Sequence, residues 1–577
     1  MSPFRVLFRE FFGQFFASES VTSDIRLRQG IIAVVAFLMA PGMILAIQMY
    51  PTYSYAVRGA PELVEPLTRQ LTSLFLTFST VSVGLVSAFA WDALSFDRRD
   101  AMVLGPLPIG RATVVSAKLA ALVVFLLGAC VPLNLMTAVP FSMIASGHKG
   151  ISGTVHHFIA HMVATTCAAA CVFSAIVILR GLLGMTTRGH LASALASLLQ
   201  FACVSALLCF FILAPTMLTI DRHPQNAGIT ISGIHMTVMP AWMPTRWFLP
   251  MYEQLRDPQN AAAANVARRS AIATLAMIGG AAFITLAGYR RQLQIALTPA
   301  ASAGTIGGAR LSRALARRLS GSNRVAHAAS DFVLTTIARN RMQQALVAIN
   351  ASIGLAMFIL ELARHRGGLA SAVRAPEVLL AMPLMLAFWT CIGLRAAFFV
   401  PSELPAAWTF RANAPRGTSA YALATRAAVV AVVGPPTVVA ALATAALAYG
   451  WPVAARHASF VLLLVVALAD FVVLTIDHVP FTRPYRPGHA KLKTRWPLYV
   501  LGAYGFSSGL AALELAVWNH RWHSAALLTG AVIAVAVFEA AVRRSGRDWP
   551  ALPTEEITDD FFKVTALNLS NAAAGHA

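Results

Sequence analysis

The stretch FDRRDAMVLGPLPIGRATVVSAK, residues 96–118, places a cluster of charges and two prolines between two long apolar runs. Pro106 and Pro108 break a helix, because proline lacks a backbone donor and pushes the residue before it out of the helical region. The stretch therefore reads as a bent elbow. Asp97, Arg98, Arg99 and Asp100 form its mixed-charge tip, Leu104, Leu107 and Ile109 its apolar shoulder, and Arg111 precedes the next run. Much further along, PSELPAAWTFRANAPRGTSAYALATR, residues 401–426, repeats the arrangement. Glu403, Trp408, Arg411 and Arg416 lie in it, and a basic residue again closes it ahead of an apolar run.

Working outward, the flanks set the class of protein. Hydrophobic residues make up 57% of the chain and charged residues 12%, with a mean hydropathy of +0.67. A water-soluble surface normally needs about a quarter of its residues charged, so the expectation is an all-α polytopic membrane protein. The net charge of +21 would suit nucleic acid, but basic residues confined to loops between apolar runs are better explained by orientation in a lipid bilayer, and nucleic-acid binding is not expected.

A helix needs about 20 apolar residues to cross about 30 Å of hydrocarbon. Twelve runs of that kind are expected, near 30–50, 71–91, 117–140, 157–179, 191–217 and 270–289, then 346–363, 377–400, 427–449, 457–477, 497–518 and 523–542. With both termini cytoplasmic, most of the 45 Lys and Arg fall on the inside, as basic residues prefer. The N-terminus carries acids and aromatics before a full-length span, unlike a cleaved signal.

This gives an interfacial N-terminal segment (1–29), a first six-span half (30–289), a cytoplasmic linker with an interfacial helix (290–345), a second six-span half (346–542) and a cytoplasmic tail (543–577). Six spans return the chain to its starting side, so two repeats of six must be parallel, related by an axis along the membrane normal. Phe4, Leu7, Phe8, Phe11, Phe12, Phe15 and Phe16 recur at three- and four-residue spacing, with Arg5, Arg9 and Glu10 elsewhere, which makes the N-terminal segment an amphipathic interfacial helix. Residues 326–343 offer a weaker counterpart, with Phe332, Val333, Thr336 and Ile337 on one side.

The charged DRRD tip, the following VLGPLPIGR and a basic residue opening the next span resemble the cytoplasmic segment of type-two ABC exporter permeases, specifically bacterial ones with two six-span halves fused in one chain. AAWTFRANAP (406–415), MPTRWFLPMYEQL (243–255) and VPFTRPYRPGHAKLKTRWPLY (479–499) are similar to the same group. The resemblance implies an amphipathic helix opening each half and separate ABC ATPase subunits, in two copies, docked on the elbows. The docking residues would be Asp97, Arg98, Arg99, Asp100 and Arg111 for one subunit, and Glu403, Trp408, Arg411 and Arg416 for the other. ATP and Mg would be bound by that partner, since this chain has no G-x-x-x-x-G-K-[ST] and no GK dipeptide. A bacterial cytoplasmic membrane is the expected location. The alternative is a secondary transporter of the major facilitator type driven by an ion gradient, which also has two parallel six-span halves. Its D-R-x-G-R-R loop is only faintly matched. A membrane scaffold or lipid-modifying enzyme has no catalytic constellation behind it.

Charges inside spans are costly and ask for a reason. Asp470, Asp477, Glu514 and Arg395 are the ones expected there, either as a proton relay or polar path or as pairs between helices. His156, His157 and His161 lie at the start of the fourth span, where histidines near an interface are a simpler reading than a metal site. GFSSG (505–509) fits a nucleophile-elbow pattern but falls in an apolar helix, where small residues serve packing. The six cysteines lie in apolar runs and imply no disulfide framework.

Overall fold

The computed structural model describes residues 2–15, 51, 58, 64–96, 98–104, 106–146, 150–186, 189–216, 220–221, 228–231, 234–237, 244–297, 307–364, 376–401, 409–410, 419–482, 492–518 and 520–549. The chain forms two compact units, Met1–Gly304 and Thr305–Ala577. Their boundary falls in the Gly- and Ser-containing stretch expected as a linker. The fold is helical apart from a small antiparallel sheet, and ten described helices are long and apolar enough to cross a membrane. This is a multi-pass α-helical membrane protein.

In the first unit, α1 (Pro3–Gln14) is followed by α2 (Val64–Phe89), the short α3 (Arg98–Leu104), α4 (Arg111–Ala145), α5 (Gly150–Thr186) and α6 (Gly189–Thr216). Strands β1 (Ile220–Asp221), β2 (Gly228–Ile231) and β3 (Ile234–Thr237) pair in the order β1-β3-β2. Then come α7 (Leu249–Arg256) and α8 (Ala261–Leu297). At a rise of about 1.5 Å per residue, helices such as the 37-residue α5 run roughly 55 Å, so they tilt or project beyond the hydrocarbon. Among the described spans α2 is the most enclosed, packed by α4, α5 and α6. Its Thr68, Thr72, Thr77 and Ser87 hydroxyls each donate to the carbonyl one turn back. Those local bonds satisfy polar groups that would otherwise be costly in an apolar interior.

The second unit contains α9 (Gly307–Leu319), α10 (Arg324–Arg339), α11 (Arg341–Arg364), α12 (Pro376–Phe398), α13 (Ala420–Tyr449), α14 (Trp451–Leu474), α15 (Leu492–Tyr504), α16 (Leu510–Ala516) and α17 (Arg521–Ser545). Its core gathers Trp389, Phe398, Tyr421 and Phe481 with alanine and valine from α12, α13 and α14. Helices α11 and α12 approach closely because glycines face the crossing: a Cβ on Gly393 would stand 2.9 Å from Val347 Cα, and one on Gly354 would stand 3.0 Å from the Met385 carbonyl oxygen. Small residues let backbones meet in this way. Residues Gly505–Gly509, expected inside an apolar helix, lie within the apolar span Pro497–Ala516, where they form a π-helical turn between α15 and α16, packed on α12. The Ser507 hydroxyl is buried there and donates to the Ala503 carbonyl, so its oxygen is committed to the helix.

Ten of the expected spans coincide with candidate spans. The run near 191–217 is helix α6, of which the shorter stretch Leu195–Phe211 is apolar. The run near 30–50 lies outside the described residues.

Candidate functional site

The first elbow is held from behind by a small polar assembly. Helix α1 buries Leu7 and Phe11, two residues of the expected apolar face, against Phe96, Leu104, Val114, Ala117 and Ala121, while Phe4 of the same face is exposed. Gln14, at the end of α1, donates from Nε2 to Asp100 Oδ1 at 2.7 Å, and its Oε1 accepts from Lys118 Nζ at 3.1 Å. Lys118 is fully buried, with its ammonium 4.7 Å from the centre of the Phe11 ring and 5.6 Å from that of Phe96. A buried ammonium is tolerable because the amide and the aromatic faces replace part of its hydration. One glutamine thus joins the amphipathic helix, the elbow and the following span.

Asp100 is therefore turned inward, and Arg111 donates to the Leu286 carbonyl on α8. Arg98 and Arg99 begin α3, while Asp97 lies outside the described residues. The apolar shoulder also differs from the expected one. Leu104 is buried and Ile109 half-buried, whereas Met102, Val103 and Leu107 are 53%, 55% and 44% exposed. Sequence reasoning missed Met102 and Val103 because the short helix between the charged tip and the prolines decides which side chains face out.

Glu403, Trp408, Arg411 and Arg416 of the second elbow lie outside the described residues. Its neighbours are described. Phe410 packs at 4.8 Å on Phe332 of α10 and accepts a 3.0 Å hydrogen bond at its carbonyl from the Tyr421 hydroxyl. Helix α10 is capped by Asn323, whose side chain accepts from the Val325 and Ala326 amides, and it packs along α13. Phe481, in the left-handed region at φ 67, is held there by donating its amide to the Phe398 carbonyl at 3.1 Å.

The expected intramembrane charges go to separate places. Asp470 is fully buried on α14, with Arg426 Nε 2.6 Å from its Oδ1. Arg426 also reaches Glu539 of α17 at 3.2 Å, and Glu539 holds Arg543 one turn on at 2.6 Å. This makes a chain of alternating charge across α13, α14 and α17. Arg426 is the residue that closes the second elbow in sequence, as Lys118 closes the first, and both sit less than two turns or about two turns into their helices. Glu539 and Arg543 went unnoticed in the sequence, although their spacing of four is that of a helical ion pair.

Arg395 on α12 donates to the Thr475 hydroxyl at 2.8 Å and to the Tyr499 hydroxyl at 3.1 Å, and its guanidinium lies 5.2 Å from the centre of the Phe399 ring. Asp477 is not within a span: α14 ends at Leu474, and the Asp477 side chain is largely exposed, accepting from His478 Nδ1 at 2.9 Å. Glu514 of α16 is buried and accepts from His457 Nδ1 at 2.8 Å.

His156, His157 and His161 are each tied to a protein group. His157 shares a 2.6 Å hydrogen bond with the Tyr252 hydroxyl of α7, His161 shares one of 2.8 Å with Thr137, and His156 bonds the Ser152 carbonyl. Helix α7 is clamped further by Glu65, which accepts two bonds from Arg256, at 3.0 and 2.8 Å, while Arg69 reaches Glu253 at 2.7 Å. Burial would lower the pKa of Arg256, but the hydrogen bond and charge of Glu65 outweigh it and raise the pKa above the ordinary guanidinium value.

No family model matches the chain, and no curated protein or solved structure matches it.

Proposed function

We propose that the chain is the membrane-spanning permease subunit of an ABC exporter, with two parallel six-span halves, both termini cytoplasmic, and a separate ATPase docked on its elbows. The observation that carries this reading is the first elbow. A coupling element must be stiff enough to pass a displacement into the spans and open enough to bind a partner. Gln14 ties Asp100 to Lys118, so α1, α3 and α4 have polar as well as apolar reasons to move together. Met102, Val103 and Leu107 are left outward, where a partner would bury them.

The second unit supports the same reading with its own parts. Helix α10 packs along α13 and against Phe410 at the edge of the second elbow, much as α1 packs along α4. Arg426, following that elbow, ties α13 to α14 and α17, so a push on the elbow would reach two further spans. ATP and Mg belong to the partner on this reading, since the sequence carries no phosphate-binding loop.

The test is capture of a co-expressed ABC ATPase by wild type, by Arg98→Glu/Arg99→Glu and by Val103→Asp/Leu107→Asp, with membrane insertion verified for each. Capture by wild type and its loss in the variants supports the proposal. Undiminished capture by the variants removes the elbow from the interface. Transport by the purified wild type along an ion gradient with no ATPase present would replace the exporter with a facilitator.

A further inference from the structure

We propose that the second unit holds a site for a bilayer phospholipid whose headgroup carries both a phosphate and a primary ammonium. The site is a cleft between the first turns of α14, the end of α16 and the first turns of α17, lined by Val453, Arg456, Phe460, Glu514, Trp518 and Leu527 among others. A guanidinium and a carboxylate face the same space, and they do not pair with each other. The hydrogen bond of Glu514 is to His457, and no lysine or arginine among the described residues forms an ion pair with it. Arg456 lies over the Trp518 ring at 5.9 Å and donates to the Trp518 carbonyl at 3.4 Å, again without a carboxylate. Two opposite charges left apart in one cleft fit a ligand that itself bears two opposite charges.

The surroundings point to a lipid as the bearer of those charges. Trp451 and Trp522 are among the most exposed large hydrophobic side chains of the described residues, and Tyr449 packs edge-on against Trp518 at 5.5 Å. Tryptophan and tyrosine gather in this manner at the level of lipid headgroups. Val453, Phe460 and Leu527 continue the cleft wall with apolar surface suited to acyl chains. The cavity volume is about 30 Å³, room for roughly two water molecules. It can admit an ammonium tip beside Glu514 but not a whole lipid, whose phosphate would meet Arg456 nearer the rim.

A primary ammonium donates hydrogen bonds to a carboxylate, and each N-methyl group removes one donor and adds bulk. A quaternary ammonium would instead need an aromatic face, and that of Trp518 is taken by Arg456. The site therefore distinguishes phosphatidylethanolamine from phosphatidylcholine.

The experiment uses the full-length protein in vesicles of phosphatidylcholine mixed with phosphatidylethanolamine, its mono- and dimethylated forms, or phosphatidylglycerol. Lipid retained through purification is counted by native mass spectrometry. Wild type is expected to retain phosphatidylethanolamine about tenfold over phosphatidylcholine, the effect of one charge-assisted hydrogen bond, with a stepwise fall along the methylation series. Glu514→Gln, which keeps an acceptor for His457, should erase that preference, and Arg456→Gln should weaken retention of every phospholipid. The methylation series needs no variant, so misfolding of a variant does not obscure the answer. Equal retention across the series, a preference unchanged in Glu514→Gln, or a preference for phosphatidylglycerol would overturn the proposal. Water-soluble glycerophosphoethanolamine should fail to displace the lipid; full displacement at similar concentration would mean that a soluble headgroup compound, not a bilayer lipid, is the ligand.

Discussion

Replacing Arg426 with leucine should destabilise the second unit more than replacing Asp470 with leucine, although the two residues form one ion pair. Asp470 has a side-chain exposure of 0%, while Arg426 retains 16% and has Glu539 as a second partner. Removing Arg426 strands a carboxylate in an apolar interior, a change that costs about 3–5 kcal/mol for a buried pair. Removing Asp470 leaves the guanidinium attached to Glu539 and partly exposed, so the loss is closer to that of a charged hydrogen bond, about 1.5–3 kcal/mol. The double variant should recover much of the deficit, because two apolar side chains of similar size need no partner and Glu539 keeps Arg543. The assay is a double-mutant cycle on apparent unfolding midpoints of the detergent-purified protein. An Arg426→Leu midpoint lower by on the order of 10 °C is expected. The reasoning is refuted if Asp470→Leu is the more damaging single change, or if the two losses simply add.

Gln14→Leu should loosen the first elbow by removing bonds to Asp100 and Lys118 together; amide hydrogen exchange across residues 98–118 is expected to rise by about five- to a hundredfold, reflecting about 1–3 kcal/mol of lost local stability. Unchanged exchange would mean that apolar packing alone holds α1 in place. Gly393→Ala should cost about 1–3 kcal/mol by overpacking, since its Cβ would press on Val347 and Asn350. Gly279→Ala, whose Cβ meets nothing within 4 Å, should be neutral or stabilising by up to about 1 kcal/mol, and thermal unfolding compares the two. Tyr252→Phe removes the hydroxyl from His157 without creating a cavity; a loss of about 1 kcal/mol is expected, and a larger drop in the midpoint would indicate that the histidine needs this partner to remain buried.

Span positions were legible because a hydrocarbon slab imposes one requirement on every crossing helix, namely about 20 apolar residues, and that requirement is local in sequence. Most of the expected runs accordingly coincide with apolar helices; the phenylalanine spacing placed Leu7 and Phe11 on one face of α1, but that they pack against protein was not legible. Helix ends were less legible. The run to residue 477 reads as continuous in hydropathy, but the chain leaves the helix after Leu474, which moves Asp477 from the interior to an exposed loop. Likewise the glycines and serines at 505–509 read as part of an apolar helix, and their π turn, packed on α12, has no local signal in the sequence.

By itself the sequence determined that this chain is a multi-pass membrane protein, and that its two charged, proline-bearing stretches stand apart from the apolar runs around them, because composition and periodicity respond to the solvent a segment meets. Partner choice among polar residues belonged to the tertiary structure. Asp470 and Arg426 are far apart along the chain, as are Asp100 and Gln14 or Glu514 and His457. Inside an apolar bundle a polar group must find whatever counterpart the helix packing brings within about 3 Å, and no local pattern encodes which helix will supply it. For the same reason the charged tip of the first elbow could be read from the sequence, whereas the inward turn of Asp100 and the outward turn of Met102 and Val103 were decided only when α1 docked against α4.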